Sequence, residues 1–156
     1  MSSLGEEMVG DMDFVDDARD VTSLLSQIGE FRRLMEERED FPLTYFFDMR
    51  ASVGRLRLEN THLDEAELFD LRRSLDTIHR IKTILSPEEF VLGEEAKYPQ
   101  LQMLAEEVMS FPHVVTRIDG LLDKYGKIRD TASQRLAEVR RELRQMAGIV
   151  SGVMQS

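Results

Sequence analysis

Three histidines are the first residues to weigh for chemistry. His62, His79 and His113 lie far apart in the chain, and none has a second histidine one helical turn away, the spacing that sets two ligands on one helix face. His79 falls beside the apolar positions of its segment, where a structural histidine is the simpler reading. The carboxylates come in runs, Glu36-Glu37-Arg38-Glu39-Asp40 and Asp64 to Glu67. Both fall at expected helix ends, so solvation and capping account for them better than acid–base catalysis. Tyr45-Phe46-Phe47 could line an aromatic box, but no charged or polar set accompanies it, and it reads as a staple and core plug. There is no Gly-x-x-x-x-Gly-Lys-Ser/Thr to cradle a phosphate, and no Gly-x-Gly-x-x-Gly after a strand. Serine and threonine hydroxyls without a base or an oxyanion-forming turn are not candidate nucleophiles. With no cysteine there is neither thiol chemistry nor a cysteine zinc site. The chain is expected to hold no catalytic, cofactor-binding or metal-binding residue, and by itself not to be an enzyme.

Charge leaves one further surface to consider. The net charge is −10, but residues 124–144 hold seven Lys or Arg against three acids, a local +4. Nothing after 144 is charged, so residues 1–123 carry −14. A polyanion would meet the basic segment and not the acidic body. Arg135, Arg140, Arg141 and Arg144 make a weak basic face there, and a solvated helix of mixed charge is the plain alternative.

The elements that would carry these residues are helical. With 156 residues and 42% hydrophobic content the chain can bury a core as one domain. No run approaches the ~18 apolar residues of a spanning helix, and no signal-peptide pattern is present, so a cytoplasmic location away from membranes is expected. Ser3-Leu4-Gly5-Glu6 fits a capping box for a short helix to about Met12, and Asp13 to Asp17 forms an acidic turn. Val21, Leu24, Leu25, Ile28, Phe31, Leu34 and Met35 make one apolar stripe, predicting an amphipathic helix over 16–38. Phe41-Pro42 ends it, and Asp48 is the expected cap of a short helix with Val53 and Leu56. Asp64, with Glu67 three residues on, caps a helix over 65–85 whose stripe is Leu68, Leu71, Leu75 and Ile78. Ser86-Pro87 reads as another start, and Gly93 to Tyr98 as a loop. Pro99 and Pro112 open helices to about Ser110 and Tyr125, with Gly126 suited to a left-handed position just beyond. No segment alternates with period two. The fold class is all-α, an irregular bundle of about six or seven helices. The expected core is Leu24, Leu25, Ile28, Phe31, Phe47, Leu68, Leu71, Leu75, Ile78, Leu104, Ile118 and Leu122.

The last third has its own pattern. From about 132 the chain reads as one long helix in which Leu136, Val139, Leu143, Met146, Val150 and Val153 step by three and four. That is half of a coiled coil, a candidate seam for a partner helix. The seam runs to the chain end without a cap, which suggests a piece of a larger protein. The expected organisation is a helical core over 1–131 and the start of a long helix over 132–156, one structural domain in total. With the other stripes occupied, the seam is expected to lie open and to pair two copies as a homodimer through residues 136–153, or else to fray beyond Gly148.

Several segments together resemble one family. They are Phe47-Asp48-Met49-Arg50, Leu63 through Leu75, Tyr98-Pro99-Gln100-Leu101, and the run Asp123-Lys124-Tyr125-Gly126-Lys127-Ile128-Arg129-Asp130-Thr131-Ala132-Ser133 with the helix after it. They are similar to the N-terminal helical region of MutS-type ATPases of the DNA mismatch repair family. The match is with the bacterial subfamily that lacks the mismatch-reading domain and carries a C-terminal Smr nuclease domain. The resemblance implies a helical core leading into a lever helix, which ends in a DNA clamp and returns to the ATPase. It implies a parent that uses ATP and Mg, dimerises, binds unusual DNA and acts in repair, recombination suppression or at ribosomes. No ATP-binding or nuclease residue of the family maps onto this chain. ATP and Mg are therefore expected for the parent only, no cofactor for this chain, and only weak DNA binding or none. The expected partner is the remainder of the parent chain. The alternative reading is a free-standing helical dimerisation or adaptor module.

Overall fold

The computed structural model describes residues 3–12, 17–43, 45, 47–58, 62–85, 98–130, 132 and 135–155, without the side chains of 3 and 153–155. These residues form seven helices and no strand: α1 (Ser3–Gly10), α2 (Ala18–Glu37), α3 (Arg50–Arg55), α4 (Glu65–Ile84), α5 (Pro99–Glu106), α6 (Pro112–Asp119) and α7 (Leu136–Gln155). The all-α expectation holds. The expected start at Ser86-Pro87 and most of the loop from Gly93 lie outside the described residues, as does most of the Asp13–Asp17 turn. Among the described residues no helix is long and apolar enough to cross a membrane.

Packing separates the chain into two compact units, residues 1–44 with 78–110 and residues 45–77 with 111–156. The continuous helix α4 contributes to both, through Thr77 to one unit and from Ile78 to the other.

In the first unit α2 starts where Asp17 accepts the Arg19 backbone N–H at 2.8 Å. Its core is Leu34, Leu85, Tyr98 and Ala105, with Phe41, Ile81, Ile84 and Leu101 packed against them. The other contact is polar. Glu30, only 6% exposed, accepts the backbone N–H groups of Gln100 at 3.1 Å and Leu101 at 2.8 Å. Those are free donors in the first turn of α5, whose flanking residue Tyr98 supplies no side-chain cap. The Tyr98 hydroxyl donates to Glu37, and the Arg33 guanidinium lies 5.6 Å from the Tyr98 ring centre.

This contact overturns the expected register of α2. Glu30 and Leu34 are its buried residues, while Val21, Leu24, Leu25, Ile28 and Phe31 are 38%, 40%, 64%, 63% and 43% exposed. At about 100° per residue, Ile28 lies ~120° around the helix from Leu34 and ~160° from Glu30. The helix has turned a carboxylate inward to satisfy α5, and its apolar stripe faces solvent. Leu104 is likewise exposed, one residue out of register with buried Ala105.

The second unit holds a larger core built from α3, α4, α6 and α7. Leu56, Leu68, Leu71, Leu75, Val114, Ile118, Leu122, Val139, Leu143 and Met146 are among its buried members. Leu68, Leu71, Leu75, Ile118 and Leu122 were expected there; Phe47 is half-buried, and Ile78, half-buried, falls in the other unit. Asp64 caps α4 by accepting the Glu67 N–H at 2.8 Å. Glu67 does not reach back; it pairs with Arg55. Asp48 lies one residue before the α3 cap position and is held by Arg50, which pulls its carboxyl down to about 2.

Candidate functional site

The residues that the sequence marked for function lie along α7, and the turn between α6 and α7 sets the foot of that helix. Gly120 ends α6, and the chain folds back so that Leu122 and Ile128 pair as an isolated antiparallel bridge. Asp123 organises the turn. Its carboxylate accepts the N–H groups of Tyr125 at 2.8 Å and Lys127 at 3.0 Å, while its own N–H donates to the Lys127 carbonyl at 2.8 Å. The Lys127 bond above all holds the Asp123 carboxyl below the usual carboxylate range. Gly126 has φ +79°, the left-handed conformation expected of it. It lies against Phe69, so a Cβ there would sit 2.7 Å from the ring.

Polar ties fix this turn to α4. Glu65 accepts from the Ile128 N–H and from Lys127 Nζ, both at 3.4 Å. Arg72 grips Asp119 with two bonds, at 2.8 and 3.3 Å, and its guanidinium is held more strongly protonated for it. Arg129 N–H donates to the Leu121 carbonyl at 2.7 Å and its Nε to the Leu122 carbonyl at 3.0 Å. The Asp-Lys-x-Gly-x-Ile run is thus an architectural motif: a tight turn clasped to a neighbouring helix.

Helix α7 rises from this foot, and here the expected open seam is corrected. Val139, Leu143 and Met146 are 2%, 5% and 2% exposed, packed into the second unit's own core with α3 and α6. Leu136 and Val150 are half-buried against the same core; the side chain of Val153 lies outside the description. The chain covers the seam itself because α6 brings Val114, Val115 and Ile118 to it. On one flank Arg117 bridges Glu138 at 3.3 Å and Glu142 at 3.0 Å. Arg140, Arg141 and Arg144 are exposed, with no ion pair among the described residues; Arg135 lies over Gly120.

One cluster escaped the sequence reading. The Arg73 guanidinium lies 4.9 Å from the Tyr45 ring centre, 4.7 Å from Phe47 and 4.5 Å from Phe69, and it pairs with Asp70. The aromatic run therefore does have a charged partner, and the box is filled from within. Phe69 and Arg73 stand four residues apart on α4, which was the available signal.

The histidines do not converge. His62 and His113 are exposed, and His79 Nδ1 lies 2.8 Å from Ser110 Oγ. The sequence reading took no histidine to have a glutamate three residues on, and Glu65 after His62 corrects it; Glu65 is engaged with the turn, and Glu59, three residues before, lies outside the described residues. Among the described residues no group of three potential ligands could hold one metal ion. A cleft of about 350 Å³ in the first unit is lined by Ser23, Gln27, Gln100, Met103, Leu104, Glu106 and Glu107. It brings no nucleophile beside a base.

Comparison with known proteins gives one consistent relationship. The chain is 30% identical over 143 residues to the Endonuclease MutS2 of Geobacillus sp., covering 92% of the chain. It is 32% identical over 143 residues to that of Symbiobacterium thermophilum, and 25% identical over 155 residues, or 99% of the chain, to that of Bacillus velezensis. The chain spans less than a fifth of these relatives' length, 18%, 17% and 19% respectively. No protein-family model matches it, and no solved structure does.

Proposed function

We propose that this chain is a MutS2-type helical core with the start of a lever helix, serving to pass motion between an ATPase and a DNA clamp. The observation that carries the reading is the similarity to MutS2 endonucleases along nearly the whole chain. The foot of α7 supports it. A helix that transmits force needs a stiff root, and α7 has one in the clasped turn and in Val139, Leu143 and Met146. In this reading the chain's residues hold and orient; ATP, Mg, DNA contact and nucleolysis belong to the rest of the parent, which works in repair, recombination control or ribosome rescue.

The test is a chimera in which residues 1–155 replace the aligned segment of the Bacillus velezensis relative. DNA-stimulated ATP hydrolysis should survive the exchange. Gly126→Val in the chimera should lower the stimulation by DNA while leaving nucleotide binding intact. A chimera that hydrolyses ATP with no response to DNA sinks the coupling role. A second reading, a free-standing helical adaptor, is favoured by the exposed stripe of α2. A reading frame that runs past Ser156 into a nucleotide-binding loop decides against it.

A further inference from the structure

Charge is divided unequally between the two compact units. Residues 1–44 with 78–110 hold 18 acids against seven Lys or Arg, a net −11, and the other unit is left with +1. The acidic unit is also the one whose α2 carries an uncovered apolar stripe. We infer that this unit docks a cationic amphipathic helix of another protein, laid along α2 and into the cleft that α2 and α5 line together.

The stripe and the cleft form one surface. Gln27 of α2 lines the cleft with Gln100, Met103 and Leu104 of α5. Leu24 and Phe31 lie about 60° and 40° around α2 from Gln27, both on the same side, and Ile28 follows at about 100°. The apolar band therefore runs from Ile28 through Leu24 and Phe31 to the cleft edge. There Met103 and Leu104, 62% and 46% exposed, extend it onto α5. A helix with apolar residues at every third or fourth position seats its side chains in a groove of this kind, and an unbranched methionine in the wall adapts to them.

Charge selects the occupant. Both ends of α2 are acidic: residues 17–20 are net −1 and residues 36–39 net −2. Glu106 and Glu107 line the cleft, and both are exposed. They stand at the C-terminal end of α5, whose last turn holds no basic residue, so the helix dipole adds to their negative field. Three of the unit's cations are already engaged. Arg32 pairs with Glu36 at 3.1 Å, the Arg33 guanidinium lies over the Tyr98 ring, and Lys82 donates to the Val108 carbonyl at 2.6 Å. A second α2 would bring the same acidic ends and be repelled, as would a phosphate backbone or an anionic membrane. A helix with Lys or Arg at both ends of an apolar face meets carboxylates at each end. Asp20 and Glu36 mark the span, ~24 Å apart along α2.

The probe is a fluorescein-labelled leucine–lysine peptide of about 18 residues, leucine along one helix face and lysine at both ends. The same peptide with glutamate for lysine is its control. Anisotropy with the whole chain should saturate with a dissociation constant on the order of 10 µM, as suits a small interface. Raising salt from about 50 to about 300 mM should weaken it roughly threefold, because the ion pairs are screened. The glutamate peptide should not bind. Leu24→Ser with Ile28→Ser should weaken binding about tenfold by removing apolar contact. The circular dichroism spectrum should be unchanged, since both side chains already face water. Glu106→Gln with Glu107→Gln should weaken binding and flatten its salt dependence. Ile149→Ser, exposed on α7 in the other unit, should leave binding as it was. Absence of saturation overturns the inference. So does equal binding of the glutamate peptide, or a loss at Ile149→Ser that matches the loss on α2. A chain that sediments as a dimer and stays one with the peptide present gives the stripe to a second copy, and overturns it too.

Discussion

Gly126 lies so close to Phe69 that a Cβ on the glycine would stand 2.7 Å from the ring. The left-handed φ of +79° adds a second reason for glycine at this point. Gly126→Ala combines a strained backbone, costing ~1–2 kcal/mol, with overpacking of ~1–3 kcal/mol. Urea unfolding should show a loss of about 2–4 kcal/mol if the neighbours give partly. A loss below half a kcal/mol, with the native fold kept, would mean that the turn opens freely.

The two stripes predict opposite responses to truncation. Leu71 is 2% exposed in the second unit's core, and Leu71→Ala should cost roughly 2–5 kcal/mol. Leu25, 64% exposed, should lose less than about 0.5 kcal/mol on the same change. Equal losses at the two sites would contradict the register found for α2.

Leu143 distinguishes a core position from an interface. It is 5% exposed, and Leu143→Asp places an uncompensated charge in the core of the second unit, a penalty of about 3–5 kcal/mol. The variant should show a lowered melting temperature at every protein concentration. A folded variant of wild-type stability, changed only in association, would return the seam to an interface role.

Tyr98 gives a signal in alkali. Burial first, then the bond to Glu37, pushes its hydroxyl from 10.0 up to about 12. A raised value means that the fold favours neutral Tyr98. Its contribution is intact below pH 10 and fades as pH climbs through about 12. A spectroscopic titration of phenolate should contain a step near pH 12 that Tyr98→Phe removes. Persistence of that step in the variant refutes the assignment.

Duplex DNA should be bound weakly or not at all by this chain alone. The −14 of residues 1–123 repels a phosphate backbone, and Arg135, Arg140, Arg141 and Arg144 are too few to organise a groove contact. Fluorescence anisotropy at physiological salt should show no saturation at micromolar protein. A salt-sensitive submicromolar dissociation constant would reverse this expectation.

Helix positions were legible in the sequence because their signals are local. Asp64 caps, Pro99 and Pro112 open helices, and Gly126 is left-handed, although α6 ends at Asp119 and not near Tyr125, so the glycine serves a later turn and not the helix end. What was not legible is which apolar face finds cover. Periodicity reports a stripe on α2 and another on α7 in the same terms, and only tertiary contact decides between them. That decision rests on Glu30, whose burial makes sense only beside the first turn of α5 some seventy residues on. The stripe on α7 was legible as a stripe, but not the cover that α6 gives it. Arg73 was hidden for a similar reason. Its aromatic neighbours Tyr45 and Phe47 come from another segment of the chain.

Neither compact unit is a continuous stretch of chain, and this matters at the ribosome. Residues 1–44 belong with 78–110, so α1 and α2 leave the exit tunnel before α5 exists. Until then Glu30 has no helix end to cap and Leu34 no core. The second unit closes later still, when α7 has emerged to meet α3, α4 and α6. Synthesis therefore holds Glu30 and Leu34 of α2 waiting for partners that are made later, Leu85, Tyr98 and the first turn of α5.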